Sequence, residues 1–208
     1  WIVRDGGPNF WEQIQFRDPT PDHLHAVIPG HRFDAVVERN NAHPIRGRLT
    51  DGARAEGWAV YLEEAVMNAG LLDDKPRVRE LIYLFGIFRA ARMPADVWLQ
   101  LNVMTADEVA DYWIERVPYL DRDVARVDAE IYLRRPPGYG LGYTTGMLQM
   151  QSLLAERKRQ LGDAFSLKDF HDEFMAAGRL PLSLIHWEMT GDDKGIAGLW
   201  SREPLPVD

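Results

Sequence analysis

The stretch PRVRELIYLFGIFRAAR, residues 76–92, decides how this chain folds. Pro76 suits the first turn of a helix, because the N–H that it lacks would have no partner there. Pro94, just beyond the stretch, is expected to end or kink the helix, because its ring clashes with the preceding turn. Apolar residues recur every three or four positions, the spacing of one helical face, at Val78, Leu81, Ile82, Phe85 and Phe88. The stretch therefore predicts an amphipathic helix that buries one broad face.

Helix signals of the same kind occupy most of the remaining chain. Thr105 followed by Glu108 has the form of a capping box, and Gly70, Gly162 and Gly178 follow helical segments as stop signals. No run alternates Val, Ile and Thr between turn signals, so little or no sheet is expected. The predicted fold class is mainly α, as a single helical domain over residues 1–208. Beside residues 77–92, the predicted helices are 31–40, 50–69, 96–101, 105–117, 121–133, 147–161, 166–177 and 181–189.

The first 22 residues differ from the rest of the chain. Glycines and prolines interrupt them too often for a regular helix, so residues 1–22 are expected to be an extended lead-in. The chain begins at Trp1, without a basic segment followed by an apolar one, so no signal peptide is predicted. The aromatic residues expected to anchor the lead-in on a partner surface are Phe10, Trp11 and Phe16.

Composition excludes several classes of function. Lys and Arg number 24 against 32 Asp and Glu, for a net charge of −8, so a polyanion such as DNA is not an expected partner. The absence of cysteine excludes disulfides, thiolate nucleophiles and cysteine-ligated metals. No stretch reaches the ~20 apolar residues of a membrane-spanning helix, so a soluble chain is expected. Any metal site must use His, Asp or Glu.

A group of histidines near the start of the helical region is the first candidate site. His23, His25 and His31 fall within nine residues, around Pro29 and Gly30. On a continuous helix, His25 and His31 would point about 120° apart, because they are six residues apart. Both can therefore bind one metal ion only if the helix breaks between them. Two imidazoles and a downstream carboxylate, Glu56, make a common catalytic zinc set. The alternative is two surface histidines and an acid that favours the first helical turn.

Five motifs in order resemble one large bacterial family of unknown function, whose members look like zincin-type metallopeptidases. The family motifs are HExxPGH, EGWAxY, RAxR, PGQAxxY and FHxxxxxxGxLPL. The resemblance covers roughly residues 22–188 and corresponds to the C-terminal part of much longer family members. It therefore implies a portion of a zincin-like helical bundle, with a separate N-terminal chain or segment that completes the cleft. The matching stretches are HAVIPGH (25–31), EGWAVY (56–61), RAAR (89–92), PGYGLGY (137–143), and FSLKDFHD (165–172) with GRLPL (178–182).

The resemblance implies a role for five residues. His25, His31 and Glu56 would hold zinc or another divalent metal. The hydroxyl of Tyr143 would stabilise a developing oxyanion, and His171 would line the cleft as a second polar group. The alternatives are that Tyr143 is a buried aromatic residue with a satisfied hydroxyl and that His171 lies on a helix surface. Alternating glycines at 138–142 lack the context of a dinucleotide site and predict a tight turn that places Tyr143.

The chain departs from the family at one position that matters for catalysis. Ala26 stands where the family has the Glu that takes a proton from water, and losing such a base typically slows a reaction by about 10²–10⁴. Tyr139 replaces the Gln of PGQA, and Gln100 stands where a His is common; these coordinated changes favour a natural branch over an engineered knock-out. The residues that could replace the base are His171, Glu63, Glu64, His23 and Asp22.

Together these features predict a divergent zincin-like, metal-dependent enzyme for a peptide or another amide- or carbonyl-containing substrate. Ordinary peptide hydrolysis is not expected, because Ala26 cannot accept a proton. The alternative is a pseudoenzyme or binding subunit, with or without its metal. The expected partners are a small-molecule or peptide substrate and the segment that completes the fold, and neither nucleic acid nor a membrane is expected.

Overall fold

A computed structural model describes residues 7–199 of the chain, and its secondary structure is helical. No strand occurs within those residues, so the mainly α prediction is confirmed. Two short 3₁₀ turns, Arg46–Arg48 and Gly162–Ala164, lie between helices. The helices are α1 (Phe10–Arg17), α2 (Thr20–Ala26), α3 (His31–Arg39), α4 (Gly52–Asn68), α5 (Pro76–Gln100), α6 (Ala106–Arg116), α7 (Arg122–Arg134), α8 (Tyr139–Leu161), α9 (Leu167–Ala176), α10 (Leu182–Thr190) and α11 (Lys194–Ala197).

The extended lead-in predicted for residues 1–22 is wrong where the structure describes it. Residues 10–17 form α1, which Asn9 caps by accepting a hydrogen bond from Glu12 N while the Glu12 carboxylate accepts one from Asn9 N. Pro19 and Pro21 flank the first residue of α2, where a proline costs no helical hydrogen bond. These two prolines thus mark the start of a helix. Residues 1–6 of the predicted lead-in lie outside the described residues.

Helix α5 continues through Pro94, where the sequence predicted either an end or a kink, so the predicted end is wrong. The helix runs for 25 residues and absorbs the separate segment predicted at 96–101. An internal proline costs a helix about 3 kcal/mol. Burial on both sides of it offsets this cost, because Phe88, Ala91, Ala95 and Leu99 all lie in one hydrophobic core.

Helix α8 begins eight residues before the predicted start at 147, so the tight turn predicted at 138–142 is wrong. Gly138 has a left-handed φ of 90°, and the helix starts at the next residue. The buried carboxylate of Asp96, on α5, accepts a hydrogen bond from Leu141 N at 3.1 Å. A cap supplied by another helix therefore stabilises this start.

The helices pack around two larger cores. One contains buried residues of α1, α5, α6 and α7, and the other joins α4, α8, α9 and α10. Helices α4 and α8 approach closely at glycines, because a Cβ atom at Gly57 would lie 2.4 Å from the Gly146 carbonyl carbon. Helix α2 contacts α4 and α5, and α3 contacts α4 and α9. The turn between α2 and α3 is therefore held against α4.

None of the described helices combines the length and the apolar character that crossing a membrane requires.

Candidate metal centre

The break between α2 and α3 brings His25 and His31 together. His25 lies in the last turn of α2, and His31 is the first residue of α3. Gly30 allows this close turn, because a Cβ atom there would lie 1.8 Å from the His25 carbonyl oxygen. Trp58 Nε1 donates a hydrogen bond to the Pro29 carbonyl oxygen at 3.2 Å, which ties the turn to α4. The two imidazoles converge because the helix restarts in a new direction.

Glu56, in the second turn of α4, completes a triangle of potential ligand atoms. Nε2 of His31 lies 3.2 Å from Nε2 of His25 and 3.2 Å from Oε2 of Glu56. Nε2 of His25 lies 3.6 Å from the same oxygen. Four-coordinate zinc, with bonds of about 2.0–2.2 Å, places its ligand atoms about 3.3–3.6 Å apart. The triangle therefore has the size of a divalent-metal site.

The Glu56 carboxylate has the character of a cation ligand. Its side chain is 12% exposed, and Oε2 is closed to solvent without a hydrogen-bond partner in the described protein. Burial disfavours the charged form of Glu56, but the neighbouring imidazoles of His25 and His31 outweigh burial and lower its pKa to about 2. A buried, ionised oxygen without a hydrogen bond is costly unless a cation offsets it. The residues present thus fit a metal ion.

A second carboxylate lies behind His25. Oε1 of Glu63 is 2.8 Å from His25 Nδ1, on the opposite side of the ring from Nε2. Arg89 Nη1 donates to the other Glu63 oxygen at 2.6 Å, and Glu63 is buried. Burial opposes ionisation of Glu63, but the charge of Arg89 and the contact with His25 lower its pKa. Glu63 therefore fixes the orientation of the His25 ring, with Nε2 facing the other two ligand candidates.

Tyr143 lies beside His25. Its ring stacks on that of His25, with ring centres 6.3 Å apart, and its hydroxyl is 2.8 Å from the Tyr139 hydroxyl. The Arg92 guanidinium lies 5.1 Å from the centre of the Tyr143 ring. Burial, reinforced by the negative charge of Glu56, raises the pKa of Tyr143, so its hydroxyl stays protonated. Tyr143 is therefore a hydrogen-bond donor near neutral pH.

His171 contacts other residues of α4 and not the three ligand candidates, within the described part of the chain. Its Nε2 is 2.8 Å from the Tyr61 hydroxyl, and its ring packs edge-on against Trp58 at 5.5 Å. Burial lowers its pKa, which favours the neutral form. Among residues 7–199 it has no hydrogen bond or ion pair with His25, His31 or Glu56. Its connection to the centre runs through Trp58 and the bond from Trp58 to the α2–α3 turn.

The other residues that could replace the missing base differ in whether they already have hydrogen-bond partners. Glu63 is engaged by His25 and Arg89, and Glu64 accepts a hydrogen bond from Gln151 at 2.8 Å. His23 is exposed. Asp22 is half-buried one turn before Ala26 on α2, and its side chain has no hydrogen bond or ion pair in the described part of the chain. Among the acids that could replace the base, Asp22 is therefore the one without a partner in the described residues.

A cavity of about 330 Å³ opens beside His25. Helices α1, α2, α5 and α7 form its walls, so it lies on the side of His25 toward the first of the two cores. Sequence reasoning did not predict it. Its polar residues on α5, Arg89 and Arg92, belong to the RAAR stretch that carried part of the family resemblance.

The comparisons with known proteins agree with this architecture. A family model described as "Bacterial protein of unknown function (DUF885)" matches residues 23–189. A solved structure titled "putative lipoprotein" from Colwellia psychrerythraea is similar, with a TM-score of 0.74 and 27% identity over 81% of this chain and 29% of that chain. Another, a "putative lipoprotein of unknown function" from Shewanella oneidensis, has a TM-score of 0.71 and 23% identity, and covers 89% of this chain and 34% of that chain. None of the curated proteins matches.

Proposed function

Since the chain belongs to the bacterial family of unknown function DUF885, and spans about a third of the solved proteins it resembles, we propose that it is the metal-binding portion of a divergent zincin-like enzyme. His25, His31 and Glu56 would hold zinc or another divalent cation. The substrate would be a peptide or another amide- or carbonyl-containing molecule. The triangle of two ring nitrogens and one carboxylate oxygen, with edges of 3.2–3.6 Å, carries this proposal.

Each residue around the triangle has a role in the proposed site. Glu63 orients His25 so that its Nε2 faces the metal position, with Arg89 holding Glu63 in place. The protonated Tyr143 hydroxyl donates a hydrogen bond to the carbonyl oxygen of the substrate as negative charge develops there. Tyr139 positions that hydroxyl from 2.8 Å away. A bound divalent cation would supply polarisation of the carbonyl and would lower the pKa of water.

The missing base sets the expected rate. Ala26 ends α2, immediately after His25, and its methyl group cannot transfer a proton. Without a carboxylate at that position, hydrolysis is expected to be about 10²–10⁴ slower than in an enzyme that has one. The proposed reaction is therefore slow hydrolysis of an activated amide or ester, or another metal-assisted reaction at a carbonyl group.

Ala26 also supports a second candidate function. A chain that keeps the three ligands but has lost the base would bind a peptide, or serve as one subunit of an assembly, without turnover. A separate N-terminal segment would then complete the cleft. This alternative predicts binding of metal or peptide and no product.

Metal content tests the proposal. The purified protein is dialysed first against buffer with zinc and then against zinc-free buffer. Elemental analysis is then expected to give about one zinc per chain. The variants His25→Ala and Glu56→Ala should lose the metal, whereas His23→Ala, exposed on the same helix as His25, should keep it. Absence of metal from the wild-type chain overturns the metal-dependent function. Bound metal without products from a library of amides and esters favours the binding subunit.

A further inference from the structure

We propose that the cavity beside His25 binds a primary amine with an apolar side chain, such as the first residue of a peptide or an amino-acid amide. The carboxylate of Asp22 receives the ammonium group. Binding of the amine does not depend on the proposed function. Only the later reaction of the bound molecule rests on it, because this inference names the substrate of the proposed metal site as a molecule with a free amino group.

The walls of the cavity are mostly apolar. Its volume of about 330 Å³ lies in the range of small-ligand pockets. Aromatic and branched side chains from four helices line it, so a hydrophobic group that enters leaves water for an apolar surface. These residues are Trp11, Pro21, Phe85, Phe88, Val124 and Val127.

Among the described residues, one carboxylate on the cavity wall has no partner. Arg89 is paired with Glu63 at 2.6 Å, and Arg92 with Asp128 at 2.8 Å. A third acid of the wall, Glu12, accepts a hydrogen bond from Asn9 N in the capping box of α1. Asp22 has no hydrogen bond or ion pair within residues 7–199. The cavity therefore favours a ligand with a positive charge.

Asp22 and His25 lie together on the cavity wall. They are three residues apart on α2, so their side chains share one face of the helix, and both line the cavity. An adjoining cavity of about 270 Å³ shares Glu12, Gln15 and Asp22, so Asp22 lies at the boundary between two spaces. Of the three candidate metal ligands, His25 is the one that lines the first cavity within the described residues, so a ligand whose ammonium group binds Asp22 lies beside His25.

Titration calorimetry with L-phenylalaninamide tests the inference. Wild-type protein, both stripped of metal and loaded with zinc, is expected to bind L-phenylalaninamide at least tenfold more tightly than its N-acetyl derivative, which has no charge, and than glycinamide, which has no side chain. Asp22→Asn should weaken binding at least tenfold. Asp74→Asn, which removes the same charge from an exposed position, should not change it.

The outcomes separate this inference from the proposed function. Equal binding of the N-acetyl derivative, unchanged binding by Asp22→Asn, or no binding of L-phenylalaninamide overturns the inference. The comparison of ligands uses wild-type protein, so it tests the inference even if Asp22→Asn fails to fold. Binding by metal-stripped protein together with an absence of bound zinc in the elemental analysis overturns the metal-dependent function alone.

Discussion

Asp34 on α3 and Arg54 on α4 form an ion pair that is closed to solvent, with Arg54 Nη1 2.9 Å from Asp34 Oδ1. Asp34 lies three residues after His31, and Arg54 two residues before Glu56. Nε of Arg179 donates to the second Asp34 oxygen at 2.8 Å. The pair therefore joins the helix that carries one candidate ligand to the helix that carries another.

Replacing Asp34 by Asn should destabilise the protein strongly. The Arg54 guanidinium would stay buried without its counter-charge, which typically costs about 3–5 kcal/mol. Urea unfolding measures this change in the free energy of unfolding. Glu188→Gln is the control, because it breaks the more exposed pair with Arg46 and should cost less than about 1 kcal/mol. Equal effects of the two substitutions would contradict the structural role of the buried pair.

Replacing Glu63 by Gln should weaken zinc binding about 10–100-fold, because the amide no longer orients and polarises His25. Competition with a chromophoric chelator measures the affinity. Glu64→Gln is the matched control, because the neighbouring Glu64 contacts Gln151 instead of a candidate ligand. Thermal unfolding of both variants separates lost affinity from lost folding, since Glu63→Gln also leaves Arg89 without its partner. An unchanged zinc affinity in Glu63→Gln would show that this carboxylate does not support the centre.

Adding a methyl group at Gly146 should force α4 and α8 apart. The new Cβ atom would lie 2.0 Å from the backbone oxygen of Ala53, which cannot rotate away. Overpacking of this kind typically costs about 1–3 kcal/mol. Gly86→Ala, inside α5, meets no atom within 4 Å and should instead stabilise the protein by about 0.5–1 kcal/mol. Chemical denaturation of both variants checks the prediction, and effects of the same sign would contradict it.

His171 should make folding stability depend on pH. Burial lowers its pKa below the ordinary 6.5, so the unfolded chain binds more protons between the two values. The contribution of His171 to stability is therefore complete above 6.5 and decreases as the pH falls through this window. His171→Gln lacks this titration, so the stability advantage of the wild type should shrink between about pH 7.5 and about pH 5.

Urea unfolding at several pH values measures this difference. The exposed His23→Gln is the control, and it should show no comparable trend. A wild-type advantage over His171→Gln that grows as the pH falls would have the wrong sign for a buried neutral imidazole.

Local patterns in the sequence predicted most helices but not all of their ends. The capping box at Thr105 and Glu108 starts α6 as expected, because both partners of a cap lie within four residues. The start of α8 was missed, because its cap comes from Asp96 on another helix. The continuation of α5 through Pro94 was missed for the same kind of reason, since burial in a core assembled from several helices offsets the local cost.

The candidate ligands were first singled out by the spacing of His25 and His31 around Pro29 and Gly30, and the family resemblance then implied their role. The structure brings these residues together with Glu56, and metal binding by them stays a prediction. Glu63 entered the sequence analysis as a candidate base, and its contact with His25 Nδ1 gives it a positioning role instead. That role depends on how α2 crosses α4, which no local pattern encodes.

The sequence by itself determined the mainly α class, the residue types available to a metal, and the loss of the carboxylate at Ala26. These properties follow from composition and from periodicity over a few residues. Only the tertiary structure decided the size of the ligand triangle, the pairing of both arginines on the cavity wall, and the lack of a partner for Asp22 within residues 7–199. Those properties depend on distances between residues far apart in the chain, and close packing of helices sets such distances.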